Sequence, residues 1–166
     1  TVDAGPGLWV WSTSIACDRS GRPHVSYYNE AWASGGVLKY ATWNGVSWSV
    51  TAVIGGGISG DYLGFEYLFY FHPGGTSIAL DPAGRPCIAF YVFQWLALGF
   101  ASWNGSSWEF EYADGAHNGQ FCSLAFDPAG APAISYFDAQ NSLLKYARRG
   151  TAGWSTEFVD LHQHSG

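Results

Sequence analysis

An all-β fold built from four-stranded antiparallel units is predicted by three observations. A long motif occurs three times along the chain. Its segments are β-branched, aromatic or Gly-rich and are separated by turn signals. No segment keeps a 3.6-residue apolar period for three turns.

The motif opens on a short strand ending in Asp: Ser14-Ile15-Ala16-Cys17-Asp18, Ser77-Ile78-Ala79-Leu80-Asp81 and Ser123-Leu124-Ala125-Phe126-Asp127. A tight turn follows. Asp18, Asp81 and Asp127 can bond backbone amides ahead of them, and Gly21, Gly84 and Gly130 supply a positive φ. These six residues are therefore expected to be structural, because a catalytic residue need appear only once. The second strand reads Val25-Ser26-Tyr27-Tyr28, Ile88-Ala89-Phe90-Tyr91 and Ile134-Ser135-Tyr136-Phe137. The third reads Leu38-Lys39-Tyr40-Ala41, then Phe100-Ala101, then Leu144-Lys145-Tyr146-Ala147. In the first two units it runs into Asn44-Gly45 and Asn104-Gly105, which predict two-residue hairpin turns. The fourth strand starts at Trp48, Trp108 and Trp154.

Four-stranded units recurring at about 40–50 residues are the pattern of β-propeller blades. Small residues on the first strand suit the crowded axis, and large ones further out fill the widening space between blades. The predicted blades cover residues 12–54, 76–114 and 121–161, with an aromatic insertion at 55–75. Residues 1–11 are read as a remnant outer strand and linker, because Val2-Asp3 resembles Val159-Asp160. A closed propeller has about 4–8 blades. Closure of these three is therefore expected to need further blades of a longer chain or a second copy, and self-association is the leading partner expectation.

Composition narrows the function. The net charge of −6 excludes a nucleic-acid partner, since a phosphate backbone demands a basic face. Charged residues are 12% and hydrophobic ones 48%, so a core is affordable. No apolar run is long enough for a membrane helix. With no Met, the chain is read as a mature or excised piece. Cys17, Cys87 and Cys122 form no CxxC pair and are expected inside as free thiols, with one disulfide of open pairing and one thiol left over as the alternative. His162-Gln163-His164 offers two ligands at most, fewer than a zinc site needs, so neither metal nor cofactor is expected.

One rim is expected to gather the loops between second and third strands and the insertion. Its candidate binding residues are Glu30, Trp32, Asp61, Tyr62, Phe65, Tyr67, Tyr70, Phe93 and Trp95. Aromatics of this kind would stack on sugar faces or meet a protein partner, with Glu30 and Asp61 as acceptors. Asn104-Gly105-Ser106 satisfies the glycosylation sequon on an exposed turn. No nucleophile elbow, phosphate loop or HExxH is present, and catalysis is not expected.

The blade motif resembles the tandem repeats of large secreted bacterial β-propeller proteins, over residues 12–54 and 76–160. That resemblance implies an extracellular or periplasmic module. Ser77 to Asp81 with Gly84 is similar to the Asp-box turn of sialidases. Trp43-Asn44-Gly45-Val46-Ser47-Trp48 and Trp103-Asn104-Gly105-Ser106-Ser107-Trp108 resemble small fucose-binding propeller lectins. The leading expectation is a non-catalytic module for self-assembly and recognition. A carbohydrate-binding lectin is the alternative, and a sialidase-like glycosidase fragment the third reading.

Overall fold

A computed structural model describes residues 2–3, 8–31, 35–54, 75–92, 95–115 and 118–160. Among them twelve strands form three four-stranded antiparallel sheets. Blade 1 holds β1 (Leu8–Cys17), β2 (Pro23–Ala31), β3 (Gly35–Trp43) and β4 (Trp48–Ile54). Blade 2 holds β5 (Thr76–Leu80), β6 (Pro86–Val92), β7 (Ala97–Trp103) and β8 (Trp108–Asp114). Blade 3 holds β9 (Asn118–Phe126), β10 (Pro132–Asp138), β11 (Leu143–Gly150) and β12 (Gly153–Phe158). In each sheet the strands neighbour one another in chain order, as in a propeller blade, and the three do not close a ring. β1 begins at Leu8 and so takes in residues ahead of the Ser14 motif.

The core lies in the seams between blades. Leu38 and Tyr28 of blade 1 pack with Ile78, Ile88 and Phe90 of blade 2. Phe100, Ala89 and Leu98 of blade 2 pack with Leu124, Ile134 and Tyr136 of blade 3. All seven residues of β6 are buried because blade 2 has a neighbour on both faces, whereas five of the six in β12 are exposed. Each seam also carries a ring pair at one repeat position. Tyr40 meets Trp108 edge-on with centroids 5.3 Å apart, and Phe100 meets Trp154 at 5.2 Å. Such pairs add about 0.5–1.5 kcal/mol beyond the area they bury.

Two polar devices recur with the repeat. The first joins innermost strands. Ser14 Oγ accepts the Ile78 amide at 3.1 Å, and Ser77 Oγ accepts the Leu124 amide at 2.9 Å. Ser12 Oγ accepts the Thr76 amide at 3.0 Å. These amides lie on a sheet edge with no strand beyond it, so the serines satisfy donors that burial would leave unpaired. Ser12 sits in a bulge of β1 with φ 43°, and Phe121 takes the same place in β9 with φ 53°.

The second device closes the outer end of a seam. In blade 3, Tyr136 lies opposite Lys145 across β10 and β11. Both donate to Asp114 Oδ2 at the end of β8, each at 2.5 Å. In blade 1, Tyr27 lies opposite Lys39. Both donate to Asp3 Oδ2, at 3.1 and 2.7 Å, so Asp3 serves blade 1 as Asp114 serves blade 3. Between blades 1 and 2 all three groups are exchanged together. Ile54 stands opposite Leu38 as Asp114 stands opposite Leu98, and Phe90 lies opposite Gly99 where the other blades have Tyr and Lys. A Cβ on Gly99 would come within 2.6 Å of the Phe90 ring, so the ring occupies the space a side chain would need.

One sequence expectation needs correction. Asn44 to Ser47 and Asn104 to Ser107 form four-residue loops, not two-residue turns. Asn44 Oδ1 accepts the amides of Val46 and Ser47, and Asn104 Oδ1 those of Ser106 and Ser107. The side chain thus substitutes for a turn carbonyl and lengthens the loop. The flanking rings Trp43–Trp48 and Trp103–Trp108 pack at 5.7 and 5.6 Å and fix its width. Blade 3 has a two-residue turn between its third and fourth strands, where Gly150 pairs Gly153. Arg22 and Arg85 are exposed, and each bonds the Asp of its own turn.

The exchanged trio makes a prediction. Asp114→Ala strands a mostly buried ammonium and should cost about 3–5 kcal/mol of unfolding free energy. Replacing the whole trio with its apolar counterpart, D114I/Y136F/K145G, should cost less than Asp114→Ala alone. Urea denaturation of the two variants measures the difference.

Candidate ligand-binding cleft

The rim that carries the first-to-second-strand turns is built by carboxylates. Asp18 Oδ1 accepts the amides of Ser20 and Arg22 at 2.8 and 2.9 Å. Asp81 and Asp127 accept the amides of Arg85 and Ala131 at 2.8 and 2.9 Å. Gly21, Gly84 and Gly130 close the turns at φ 80°, 80° and 84°, a region a side chain would strain. Blade 3 has Ala131 where the others have Arg, and Arg148 of β11 supplies the missing cation to Asp127 at 2.5 Å. Asp18 is held well below the usual carboxylate range by the Ser20 hydroxyl and the Arg22 amide. The Arg148 guanidinium lowers Asp127 in the same way.

Between blades 2 and 3 this rim opens into a cleft of about 560 Å³. Its apolar lining comes from Phe100, Phe126, Cys87 and Pro132, and its charged lining from Asp81, Arg85, Glu109, Glu111 and Arg149. Arg149 of β11 spans the seam, its Nε donating to Glu111 Oε1 of β8 at 2.6 Å and its Nη2 to Oε2 at 3.4 Å. Arg85 is paired to Asp81 at 2.7 Å, and Glu109 accepts Asn104 Nδ2 at 2.8 Å. Both guanidiniums are about half exposed, so each keeps donors turned to solvent beside its carboxylate. Apolar lining under paired donors and acceptors suits a small polyhydroxylated ligand, whose C–H faces need burial and whose hydroxyls need both bond types. No group of three or more His, Cys, Asp or Glu suited to a metal is found among the described residues.

The sequence-predicted face lies elsewhere. Trp95 is exposed on the β6–β7 turn beside Leu96, at the opposite end of blade 2 from the cleft. Glu30 belongs to β2, paired with Trp9 and Gly36. Trp32, Asp61, Tyr62, Phe65, Tyr67, Tyr70 and Phe93 lie outside the described residues. Asn104, the sequon residue, uses its side-chain nitrogen to bond Ser107 and Glu109. Sequence reasoning missed Arg149, Glu109 and Glu111. A signal was present, because Arg149 pairs Trp154 where Trp43 pairs Trp48 and Trp103 pairs Trp108, so it breaks the repeat at a strand-three Trp.

No family model matches the chain, and no curated protein matches it. Among solved structures, a fucose lectin from Kordia zhangzhouensis in complex with methyl-fucoside is similar, with a TM-score of 0.53. The match covers 88% of this chain and 97% of that one at 16% identity. What the two share is the fold. The three four-stranded sheets match the fold of that lectin. No helix among the described residues is long and apolar enough to cross a membrane.

The first seam places His24 where the second has Cys87, and the two side chains make separate predictions. The free thiols were all expected inside, but only Cys87 and Cys122 are buried. Cys17, next to inward-facing Ala16, is exposed. Burial pushes the Cys87 and Cys122 thiols up to about 12. A thiol reagent should therefore modify Cys17 alone in the folded protein at neutral pH, and all three after unfolding, as intact mass would show. His24 Nδ1 meets the Tyr40 hydroxyl at 2.5 Å, and its buried Nε2 faces Asp18 Oδ2 at 3.9 Å, beyond hydrogen-bond reach. Burial lowers its pKa below 6.5, against the pull of Asp18. The unfolded chain then takes its proton first as pH falls, so this part of the stability is full above about pH 6.5 and is lost towards the folded pKa. Tm should drop between about pH 7.5 and 5.5, and the drop should shrink in His24→Gln.

Proposed function

We propose that the chain is a carbohydrate-binding propeller module that recognises without catalysing, and that the cleft between blades 2 and 3 is a sugar site. The observation that carries this reading is the Arg149–Glu111 pair spanning a seam with apolar lining. A pyranose has one face of C–H groups and a rim of hydroxyls. Phe126 and Pro132 would take the first, and the exposed donors of Arg149 and Arg85 with the acceptors of Glu109 and Glu111 would take the second. The likeness in fold to a fucose lectin supports the same class of ligand. Such a module would act outside the cell, where free glycans and glycan-coated surfaces are met.

A glycan array that includes fucosides, followed by calorimetry on its best ligand, tests this. A selective signal is expected. Removing a hydrogen bond to a charged group costs about 1.5–3 kcal/mol, so Arg149→Ala should weaken binding about 10- to 150-fold with the melting curve little changed. An array without selective signal, or unaltered affinity in Arg149→Ala, would refute the cleft as a sugar site.

A further inference from the structure

The three blades contain the same seam twice and its two halves once more, unjoined. The rear face of each blade offers the residue after the clasping serine: Ile15, Ile78 and Leu124. Ile78 and Leu124 are 5% and 7% exposed because a preceding blade covers them, whereas Ile15 is 65% exposed. The front face offers the residue at the start of the third-strand motif: Leu38, Leu98 and Leu144. Leu38 and Leu98 are 0% exposed because a following blade covers them, whereas Leu144 is 45% exposed. Phe121 points the same way. Its counterpart Ser12 reaches forward to the Thr76 amide of the next blade, and Phe121 is 66% exposed. Ser123 repeats Ser14 and Ser77, which receive the Ile78 and Leu124 amides, and in blade 3 it is exposed.

We propose that the front face of blade 3 docks on the rear face of blade 1 of a second copy of this chain, so that two copies close a six-bladed ring. Leu144 and Phe121 of one copy cover Ile15 of the other, and Ser123 Oγ accepts the partner's inner-strand amide as Ser14 and Ser77 do within the chain. Each open face repeats, position for position, one side of a seam that the molecule makes internally. Copy number follows from closure. A ring has about 4–8 blades, and two copies of the three described blades supply six. The contact is heterologous, front to rear, and two such contacts close the dimer. At the outer end of this seam Asp3 already fills the Tyr27–Lys39 socket, so the joint rests on its inner and middle parts. The proposal is independent of what the clefts bind.

Light scattering with sedimentation velocity over a concentration series tests it. The wild-type chain should form a discrete two-chain particle. Ile15→Asp and Leu144→Asp change exposed side chains, so both variants should fold, as circular dichroism checks. Each places a carboxylate in both joints of a ring and should weaken association at least a hundredfold. An equal mixture of the two variants should regain a two-chain particle, because one joint then pairs the intact Leu144 of one chain with the intact Ile15 of the other. A wild-type monomer at every concentration would overturn the proposal. So would growth into open polymers, dimers that survive both substitutions, or a mixture that stays monomeric.

Discussion

A four-stranded sheet with apolar residues on both faces has no stable form alone, and everything else here depends on how one blade covers the next. The covering is held at the axis by side-chain oxygens of the innermost strand. The Oγ of an inner-strand serine accepts a backbone amide that the sheet itself cannot pair. The position tolerates little else. A larger side chain would push the blades apart where they converge, and an aliphatic one would leave a buried donor unmet. Around that clasp the seam widens, and larger side chains fill it: leucines and isoleucines in the middle, and a ring pair towards the cleft rim.

The outer end of the seam shows how polar and apolar solutions to one geometric problem exclude mixtures. Asp114, Tyr136 and Lys145 work as a unit because each satisfies groups the others bury. Ile54, Phe90 and Gly99 work because none of them needs satisfying, and the glycine leaves room for the ring. Exchanging one member strands the other two. The cleft obeys the same logic at the opposite rim. Arg149 and Glu111 come from different blades, so their pair both bridges the seam and shapes the wall of the cavity.

The repeat made most of the fold legible. The Ser-x-Ala-x-Asp runs, the Tyr-rich second strands and the Trp-flanked loops lie on the observed elements, because each motif encodes one strand or one turn locally. Loop length was misread where an Asn side chain stood in for a backbone carbonyl, which a dipeptide signal does not reveal. The cleft was far less legible. Glu111 and Arg149 are distant in the chain and meet only because the blades stack, whereas the expected candidates came from the insertion and from the loops between second and third strands. Of that set Trp95 is exposed on the far rim. Asp3 was read as a piece of strand, while its partners Tyr27 and Lys39 passed as ordinary strand residues.

The exchanged trio gives the blades an order. A duplicate of blade 2 placed directly after blade 2 would set Asp114 against Phe90 and Gly99, leaving a carboxylate on an apolar ring with no cation near it. A duplicate of blade 3 placed after blade 3 would meet no such conflict, since Tyr136 and Lys145 would receive the Asp160 that follows β12. An array of this kind therefore lengthens by copying some units and not others. The junction residues act as an addressing code that restricts how such proteins gain blades by recombination.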